Sequence, residues 1–469
     1  MTVRIEPGRR FENSVPVLVV GAGACGLIAA LAARDAGVDV LVLEQDRTPS
    51  GSTGLSSGFI PASYTRWQEQ AGVIDSPGTM MADLQAKCAG VTERQMVRAV
   101  TVESKRALHW LADTHGIPFE LIDGFLYPGH SAARMHAVPE RTGQGLMTRL
   151  ISATQAAGVD VLCDARVTAL FADDSRRVLG VELTRPDGSV EEIGCRTLIL
   201  ACSGFGGDRA LVREHIPEIA AAEYFGHPGN RGDALRWGLA LGADAKNLGA
   251  YQGHGSVATP HGVLITWALI MQGGIQVNSE GRRFSNEQEG YSEQAVRVLK
   301  QPGGFAWDIY DERLHRLGME FEDYRNAHSA GAVRTAADIP AISALTSLDA
   351  DFLSETLEEI SRCATGELDD EFGRDFRGEP VLGRPLYAIK VTGALFHTQG
   401  GLRVDEHARV CDSTGRPLPN LFAGGGAAAG VSGDHVWGYL SGNGLLSAVS
   451  LGALAGRAAA RTAMETGAC

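Results

Sequence analysis

The chain has 469 residues, of which 44% are hydrophobic and 21% are charged, values that are ordinary for a folded globular protein and exclude disorder over most of its length. Its 42 lysines and arginines face 56 aspartates and glutamates, a formal net charge of −14. This charge argues against a nucleic-acid partner, which needs a basic face, and gives no attraction to an anionic membrane. No apolar run approaches the roughly 20 residues that span a bilayer.

The eight cysteines are scattered along the chain, and no pair has the Cys-x-x-Cys spacing of zinc or iron–sulfur sites. A disulfide framework is not expected at this length, and no metal site is predicted. The N-terminal segment MTVRIEPGRRFENS lacks the apolar core of a secretion signal. We therefore expect a cytoplasmic protein with reduced thiols.

Residues 16–44 follow a pattern typical of dinucleotide binding. An apolar run at Val17–Val20 predicts a strand, the sequence GAGACG at 21–26 predicts a tight turn, and the Ala-rich stretch 27–36 predicts a helix. A second strand is predicted at 38–43, and Glu44 follows it. A glycine motif alone is weak evidence and is also compatible with a structural turn. The complete order of strand, turn, helix, strand and acid predicts a dinucleotide site.

Each glycine of the motif has a physical role in such a site. Gly21 would allow the tight turn, Gly23 would let the backbone approach a pyrophosphate, and Gly26 would allow close packing of helix on strand. The helix N-terminus attracts the phosphates, and Glu44 would accept hydrogen bonds from ribose hydroxyls. The loop PSGSTGLSSGFIP at 49–61 is rich in Gly and Ser, an arrangement known from flavoproteins. No second glycine motif followed by an acid is present, so we predict FAD and no nicotinamide site of the same type.

The rest of the chain divides into two kinds of region that differ in composition and hydrophobic pattern. Short alternating runs at 158–205 predict a β-meander that returns to the first sheet, and a long Ala-rich helix is predicted at 445–464. Residues 250–387 contain aromatic and mixed-charge runs such as WDIYDERLHRLGMEFEDYR, which predict amphipathic helices. We therefore predict an α/β fold, with a Rossmann-like FAD-binding domain from residues 1–248 and 388–469 and an inserted α+β catalytic or capping domain at 249–387.

Motifs along nearly the whole chain resemble the flavoprotein superfamily of fumarate reductases, succinate dehydrogenases and 3-ketosteroid Δ1-dehydrogenases. In chain order they are the nucleotide motif at 17–44, the loop at 51–58, SGFGGD at 203–208, GNRGDALRWGLALGA at 229–243, GGIQVNSEGRRFSNE at 273–287, ALFHTQGGLRVD at 394–405, LFAGGGAAAG at 421–430 and YLSGNGLL at 439–446. The resemblance implies an FAD whose flavin N5 takes a hydride from one substrate carbon while a side chain takes the proton from its neighbour.

The resemblance also implies a set of FAD-binding positions. They are Gly21, Gly23, Ala24, Gly26, Glu44, Gly51, Ser52, Ser57, Gly58, Val167, Ser203, Gly204, Gly425, Gly444, Leu445 and Leu446. No histidine occurs at 49–61, where the flavin is attached covalently in the dehydrogenase complexes of the superfamily. Non-covalent FAD is therefore expected.

The departures from the superfamily pattern concern the substrate. Fumarate-reductase-type members carry a T-E-x-x-R segment, of which Thr266 is kept while Trp267 and Ile270 stand at the acid and arginine positions. Tyr291 occupies the place of the proton-donating arginine, and Tyr439 occupies the place of the arginine before the C-terminal L-G-G-N motif. The acid–base relay and the arginines that clamp a dicarboxylate are therefore absent.

Tyrosine at both positions resembles the ketosteroid-dehydrogenase-like branch. That resemblance implies Tyr291 as the base, with Tyr127 relaying its proton, and Tyr439 as the group that polarises the ketone oxygen together with backbone N–H groups near residues 442 and 443. A ketone acidifies its α-hydrogen, so a phenol is a sufficient base if its pKa is lowered from about 10. The surviving family histidines, His254 and His397, are interpreted either as substrate contacts, for instance to a carboxylate, or as packing residues.

The predicted activity is an FAD-dependent dehydrogenation of a small-molecule ketone to its α,β-unsaturated product. The substrate is expected to be a cyclic ketone, either a steroid or a smaller keto acid such as an oxocyclohexane carboxylate. The electron acceptor stays open between oxygen, a quinone and a carrier protein. One alternative is a fumarate-reductase-like flavin reductase of an activated C=C bond, and another is a non-catalytic flavin-binding or electron-transfer protein. Electron transfer alone would favour an iron–sulfur or haem partner site, and no cysteine cluster for one is present.

Overall fold

Two large β-sheets share most of the chain in the computed structural model, which describes residues 2–124 and 126–467. The strands of the nine-stranded first sheet are Thr2–Ile5, Asn13–Val20, Val40–Leu43, Asp160–Leu162, Arg166–Ala172, Val178–Thr184, Val190–Leu200, Arg409–Cys411 and Pro417–Ala423. Strand Asn13–Val20 pairs in parallel with Val40–Leu43 on one side and with Val190–Leu200 on the other. Their carboxyl ends therefore meet at one edge of the sheet, where ligands bind in sheets of this kind.

The predicted strand–turn–helix unit is present, with different bounds. Residues Val17–Val20 are buried on both faces, as expected for the interior of a parallel sheet. The helix spans Ala24–Asp35 and begins before the predicted start at Leu27, because the glycine turn leads directly into its first turn. Gly21 has φ +102°, and a Cβ there would lie 2.6 Å from the carbonyl oxygen of Ala201. Only glycine fits this turn.

The predicted meander is formed by the three antiparallel strands within 166–200. The last of them, Val190–Leu200, pairs with Val178–Thr184 through its first half and with Asn13–Val20 through its second half. One long strand therefore connects the meander to the parallel part of the sheet, as the sequence predicts.

The seven-stranded second sheet is made of Glu223–Tyr224, Tyr251–Ala258, Val263–Leu264, Ile275–Val277, Phe305–Asp311, Val333–Ala336 and Leu386–Thr398. Its central strand, Leu386–Thr398, crosses the boundary predicted at residue 387, and Glu223–Tyr224 joins it from before residue 249. Judged by which strands pair with one another, the second sheet therefore extends to residue 398. The prediction of helices throughout WDIYDERLHRLGMEFEDYR is wrong for its first part, because Phe305–Asp311 is a buried strand between two others.

The remaining strands form a three-stranded sheet of Ile60–Pro61, Glu120–Ile122 and Met135–Ala137 and a pair of Ala245–Lys246 with Gly401–Leu402. The α-helices span Ala24–Asp35, Gly51–Gly54, Arg66–Gln70, Pro77–Lys87, Arg94–His115, Gly143–Ala156, Arg209–His215, Asp233–Ala240, Ala268–Met271, Tyr291–Leu299, Glu312–Gly318, Glu322–Ser329, Ile339–Thr346, Ala350–Ala364 and Asn443–Gly467. The 3-10 helices span Pro217–Ile219, Glu287–Glu289, Pro302–Gly304, Gly425–Ala427 and Val436–Gly438. The short helix Gly51–Gly54 therefore lies inside the segment 49–61, which the sequence predicts to be a loop.

The C-terminal helix Asn443–Gly467 extends beyond the predicted 445–464 at both ends. It packs on the helix Ala24–Asp35, and a Cβ at Gly452 would lie 2.6 Å from the carbonyl oxygen of Cys25. Glycine thus allows the two helices to approach closely, which holds the first residues of the C-terminal helix at the edge of the first sheet. The predicted α/β fold with a Rossmann-like FAD-binding part is confirmed.

Across the described ranges 2–124 and 126–467, none of the helices combines the length and the apolar character that a bilayer crossing needs. The seven cysteines in those ranges are free thiols. The eighth, Cys469, lies outside the described residues.

Candidate active site

Two adjoining cavities hold most of the predicted site residues. The first, here called the glycine cleft, has about 1240 Å³ of space and is lined by glycines at 21, 23, 51, 229, 425, 426, 430 and 444. The second, the tyrosine cavity, has about 1050 Å³ and is lined by Tyr127, Tyr291 and Tyr439. Residues that line both are Ser52, Ser56, His397, Gly444 and Leu445. A molecule bound in one cavity can therefore contact a molecule bound in the other.

The glycine cleft lies at the carboxyl edge of the first sheet, beside the N-terminus of the helix Ala24–Asp35. A Cβ at Gly23 would meet nothing closer than Thr53 Oγ1 at 3.6 Å, so this face of the backbone is open toward the cleft. The N–H of Ala24 donates to Thr53 Oγ1 at 3.1 Å. Gly26 does not line the cleft, because a Cβ there would overlap the carbonyl oxygen of Gly21. Its role is the close helix–strand packing that the motif predicts.

Glu44 lies at the end of the second strand and is 6% exposed. One carboxylate oxygen accepts from the N–H of Ala22 at 2.8 Å and the other accepts from the N–H of Asp46 at 3.0 Å. Burial raises the pKa of this carboxyl, and these two N–H donors oppose the rise. Each oxygen keeps a lone pair for a further donor, so Glu44 can also accept from hydroxyls of a bound sugar.

The predicted cofactor residues are not all at the glycine cleft. Those that line it are Gly21, Gly23, Ala24, Glu44, Gly51, Ser52, Val167, Ser203, Gly425, Gly444 and Leu445. Ser57 and Gly58 line the tyrosine cavity instead. Leu446 is fully buried, and a Cβ at Gly204 would overlap Thr398 Oγ1. These last two residues support the cleft by packing.

Several residues of the cleft were missed by sequence reasoning. Asn230 donates from its amide to Ser52 Oγ and to the Tyr224 hydroxyl, both at 2.8 Å. His227, Asp233 and other side chains from the same stretch also line the cleft. The motif GNRGDALRWGLALGA at 229–243 was the available signal. This motif contributes to the resemblance to the superfamily, but no cofactor-binding residue was predicted within it.

The cleft fits a dinucleotide by the chemistry of its donors and acceptors. It offers an open glycine backbone at a helix N-terminus for phosphate and a buried carboxylate with spare lone pairs for ribose. These features are what FAD requires of a protein.

Tyr291 is the first residue of the helix Tyr291–Leu299 and lies at the centre of the tyrosine cavity. Its ring centroid is 6.0 Å from that of Tyr439 and 6.4 Å from that of Tyr127. The ring stacks on His254 with centroids 4.7 Å apart. Tyr439 and Ser441 are the side chains that act most directly on its hydroxyl. The fold thus brings together residues from different elements that lie far apart in sequence.

The expected lowering of the Tyr291 pKa is wrong for this structure. Burial is the main cause that raises the pKa well above 10, and the neighbouring Tyr439 and the Glu293 carboxylate raise it further. Only the hydrogen bond with Ser441 acts in the opposite direction. The ring is 8% exposed, and within residues 2–124 and 126–467 no cation acts on the hydroxyl to stabilise a phenolate. Tyr291 is therefore protonated at neutral pH in the free site.

Tyr439 precedes the C-terminal helix. Burial raises its pKa as well, while hydrogen bonds from Tyr291 and from the backbone of Gly442 and Gly444 lower it. The expectation of backbone N–H donors near residues 442 and 443 stays a prediction, and the N–H of Asn443 itself donates to the carbonyl oxygen of Leu440 at 3.0 Å. The donors beside Tyr439 are therefore the N–H groups of the two glycines, at the positive end of a long helix.

Both family histidines line the tyrosine cavity. The Nδ1 of His254 accepts from the N–H of Ser256 at 3.1 Å, and burial lowers its pKa to about 3. The Nδ1 of His397 pairs with the Gln399 amide nitrogen at 2.9 Å, which can only donate. Burial lowers the pKa of His397 to about 4. The carbonyl oxygen of Thr398 also lies 3.4 Å from Nδ1 of His397. Each ring is therefore neutral near pH 7, and neither attracts a carboxylate by charge.

The walls of the tyrosine cavity are aromatic. Trp267 is 2% exposed and packs edge-on against His254 and Tyr291, and Phe225 and Phe396 line the same space. Among the residues that the structure describes, no arginine or lysine lines this cavity, and Asp323 is its one carboxylate. The cavity is therefore suited to an apolar molecule with a neutral hydrogen-bonding group.

The comparison with known families agrees with this geometry. Residues 16–445 match the family described as FAD binding domain. The chain belongs to this FAD-binding family. The predicted membership in the fumarate reductase and ketosteroid dehydrogenase superfamily is confirmed, and so is the prediction of an FAD-dependent oxidoreductase acting on CH–CH bonds.

Three relatives illustrate the range of this FAD-binding family. The chain is 27% identical over 457 residues to a fumarate reductase (cytochrome) of Shewanella frigidimarina, covering 96% of this chain and 78% of the relative. It is 26% identical over 550 residues to a 4-oxocyclohexanecarboxylate 2-dehydrogenase of Sinomonas cyclohexanicum, covering 95% and 93%. The solved structure of a 3-ketosteroid-Δ4-(5α)-dehydrogenase of Rhodococcus jostii RHA1 with 4-androstene-3,17-dione is 26% identical, with a TM-score of 0.78 over 97% of this chain and 99% of that one.

Proposed function

We propose that this FAD-binding protein dehydrogenates a cyclic ketone to its α,β-unsaturated ketone. The observation that carries the proposal is the pairing of Tyr291 with Tyr439, ring centroids 6.0 Å apart, in an aromatic cavity that opens onto the glycine cleft. A ketone needs one group to remove its α-proton and another to stabilise the enolate oxygen. Two neighbouring tyrosines supply both kinds of group.

Tyr439 and the two glycine N–H groups beside it hold the ketone oxygen. The phenol would donate one hydrogen bond, and the N–H groups of Gly442 and Gly444 lie beside the phenol oxygen, where they favour its hydrogen bonding to the ketone. Negative charge on the enolate oxygen is stabilised further by the N-terminus of the helix Asn443–Gly467. Donors that are already in place at a buried site lower the barrier without reorganisation.

Tyr291 takes the α-proton, and Tyr127 assists it from the same cavity. Because burial keeps Tyr291 protonated in the free site, its own proton must leave as the α-proton arrives. The hydrogen bond with Ser441 lowers the pKa of the Tyr291 hydroxyl and stabilises the developing phenolate. Trp267 and His254 pack against the ring and hold its orientation.

FAD is proposed to be held non-covalently in the glycine cleft, where it would supply the hydride acceptor. Gly23 and the helix N-terminus would hold its pyrophosphate, and Glu44 would hold its ribose. The purified protein should therefore be yellow and release its FAD when it is denatured by acid or heat. Flavin that precipitates with the chain would contradict the non-covalent part of the proposal.

The cavity favours a neutral ketone over a dicarboxylate. Fumarate carries two negative charges, and no cationic side chain among the described residues lines the tyrosine cavity. The neutral His254 and His397 offer hydrogen bonds to one carboxylate at most. The relative that acts on 4-oxocyclohexanecarboxylate and the neighbour bound to a ketosteroid support the ketone class.

The test is anaerobic reduction of the bound flavin by a panel of ketones. A saturated 3-ketosteroid, cyclohexanone and 4-oxocyclohexanecarboxylate are mixed separately with the oxidised holoenzyme, and the loss of flavin absorbance is followed. At least one ketone should bleach the flavin and give its enone by mass spectrometry. In parallel, dithionite-reduced enzyme is mixed with fumarate. Rapid reoxidation by fumarate with no bleaching by any ketone would favour the reductase alternative, and no reaction in either direction would favour a non-catalytic protein.

A further inference from the structure

A third, small cavity lies behind the two tyrosines. It is lined by Lys87, Pro128, Gly290, Tyr291, Ser292, Glu293, Tyr439 and Ser441. It shares Tyr291, Tyr439 and Ser441 with the tyrosine cavity. Its enclosed space is about that of one water molecule. The hydroxyl groups of the proposed site thus separate a substrate space from a space suited to water.

Glu293 is the carboxylate of this small cavity. The residue is 7% exposed, and its Oε2 is a buried atom without a hydrogen-bond partner. A Cβ at Gly290, which also lines the cavity, would overlap Oε2, and the φ of +151° at Gly290 favours glycine. A buried acceptor of this kind is costly unless water or a ligand satisfies it. The missing side chain at 290 leaves room for that water.

Lys87 connects Glu293 with the surface. Its Nζ pairs with Glu293 Oε1 and donates to the carbonyl oxygen of Glu289 at 2.8 Å. The Lys87 side chain is 15% exposed, so the pair sits between the small cavity and solvent. The cation favours the ionised form of a carboxyl whose pKa is otherwise raised by burial.

We propose that Glu293, paired with Lys87, carries protons between Tyr291 and solvent through water in the small cavity. The inference rests on the proposed function, because it assigns an exit to the proton that Tyr291 receives. The α-C–H bond of the ketone breaks, its electron pair stays in the enolate, and the proton forms a new O–H bond on Tyr291. The original Tyr291 proton passes to cavity water and then to Glu293 Oε2. Glu293 finally releases the proton to solvent beside Lys87.

The main experiment separates proton movement from flavin reduction. The holoenzyme is reduced with dithionite, and exchange of the ketone's α-hydrogen with D₂O is followed by NMR, using the panel ketone that bleaches the wild-type flavin most rapidly. Glu293→Gln should slow this exchange by about 10²-fold, within the range of general acid–base effects.

Glu289→Gln is the matched control. Glu289 lies on the same segment and pairs with Arg297 at the surface, and its side chain does not line the small cavity. The control should exchange at the wild-type rate. Bound-FAD absorbance and the thermal midpoint are recorded for every variant, so that loss of fold is separated from loss of proton transfer.

Lys87→Met tests the role of the cation by its effect on the pH profile. The charged and titratable groups that face Glu293 are Lys87, Arg297, Tyr291 and Tyr251. Loss of a cation at this distance raises a carboxyl pKa by about 1–3 units. Because Glu293 accepts the proton only when ionised, the acidic limb of the exchange rate should move to higher pH by a similar amount.

The outcomes distinguish the relay from the proposed function. Wild-type exchange in Glu293→Gln would overturn the relay, and so would a pH profile that Lys87→Met leaves unchanged. If Tyr291→Phe also exchanges at the wild-type rate, the role of Tyr291 and the proposed function fail with it. If Tyr291→Phe abolishes exchange while Glu293→Gln does not, the function stands and the proton leaves by another route.

Discussion

The glycine cleft and the tyrosine cavity adjoin, yet different chemical groups line them. The surface of the cleft is largely backbone and short side chains, and charged residues such as Glu44 and Arg166 line it. The reactive surface of the cavity is a set of large side chains from elements far apart in sequence, with no cation among the described residues. The cleft offers shape and backbone donors, whereas the cavity offers particular hydroxyls.

The difference implies that substitutions in the two regions act on different quantities. A backbone surface binds a cofactor through groups that every residue has, so it changes only when a side chain blocks the approach or an acceptor is lost. A surface of hydroxyls works through a few atoms, each of which a single substitution removes. Changes in the cleft should therefore alter FAD affinity, and changes in the cavity should alter rate while the flavin stays bound.

The largest expected effect is that of Tyr291→Phe. Removing the hydroxyl removes the proposed base, so the rate of flavin reduction by the ketone should fall by about 10²–10⁴-fold. The FAD should stay bound and remain reducible by dithionite, because Tyr291 does not line the glycine cleft. Anaerobic stopped-flow absorbance measures both quantities. A variant that reduces its flavin at the wild-type rate would remove Tyr291 from the mechanism.

Tyr439→Phe should give the next largest effect. The variant keeps the ring in the cavity but loses a donor to the enolate oxygen, which typically costs about 10²–10³-fold in rate. The glycine N–H groups beside it remain, so some activity should persist. A change in kcat/KM for the ketone of less than about threefold would show that Tyr439 only packs against its neighbours.

Glu44→Gln tests the other side of the comparison. Both carboxylate oxygens accept from backbone N–H groups, so the NH₂ of a glutamine would face a donor. Hydrogen bonds to a charged group are worth about 1.5–3 kcal/mol, and the Kd for FAD should therefore rise about tenfold or more. Fluorescence of released FAD measures the Kd, and ketone turnover of the FAD-saturated variant serves as the control, because it should stay near wild type.

The smallest expected effect is a change in the free energy of unfolding with pH, and it arises from a histidine of the tyrosine cavity. Burial lowers the pKa of His254 to about 3, against about 6.5 in an unfolded chain. The unfolded state thus binds a proton more readily, and the free energy of unfolding should fall below about pH 6.5 by up to about 1.4 kcal/mol per pH unit for this histidine. Urea denaturation across this range should show a shallower decline for His254→Asn. The exposed His407→Asn should follow the wild type, and identical slopes for all three proteins would contradict the neutral buried histidine.

Much of the cofactor region could be predicted because its residues are neighbours in sequence. Gly21, Gly23 and Glu44 lie within one strand–helix–strand unit, and the structure places all three at the cleft. The second sheet was harder, since the strand Phe305–Asp311 has the mixed composition of an amphipathic helix and becomes a strand only through its pairing with Leu386–Thr398. Residues such as Asn230 were not predicted, because nothing in their motif indicates ligand binding until the fold places them at the cleft.

The sequence by itself determined the dinucleotide motif, since it follows from residue identity at known spacings, and its resemblance to the superfamily predicted tyrosines where dicarboxylate reductases carry arginines. Only the tertiary structure decided which atoms meet at the site. It raised the pKa of Tyr291 and placed Glu293 in the small cavity that adjoins it. The physical reason is that burial and distance depend on how the two sheets and the C-terminal helix pack, and local sequence does not encode the packing of segments so far apart along the chain.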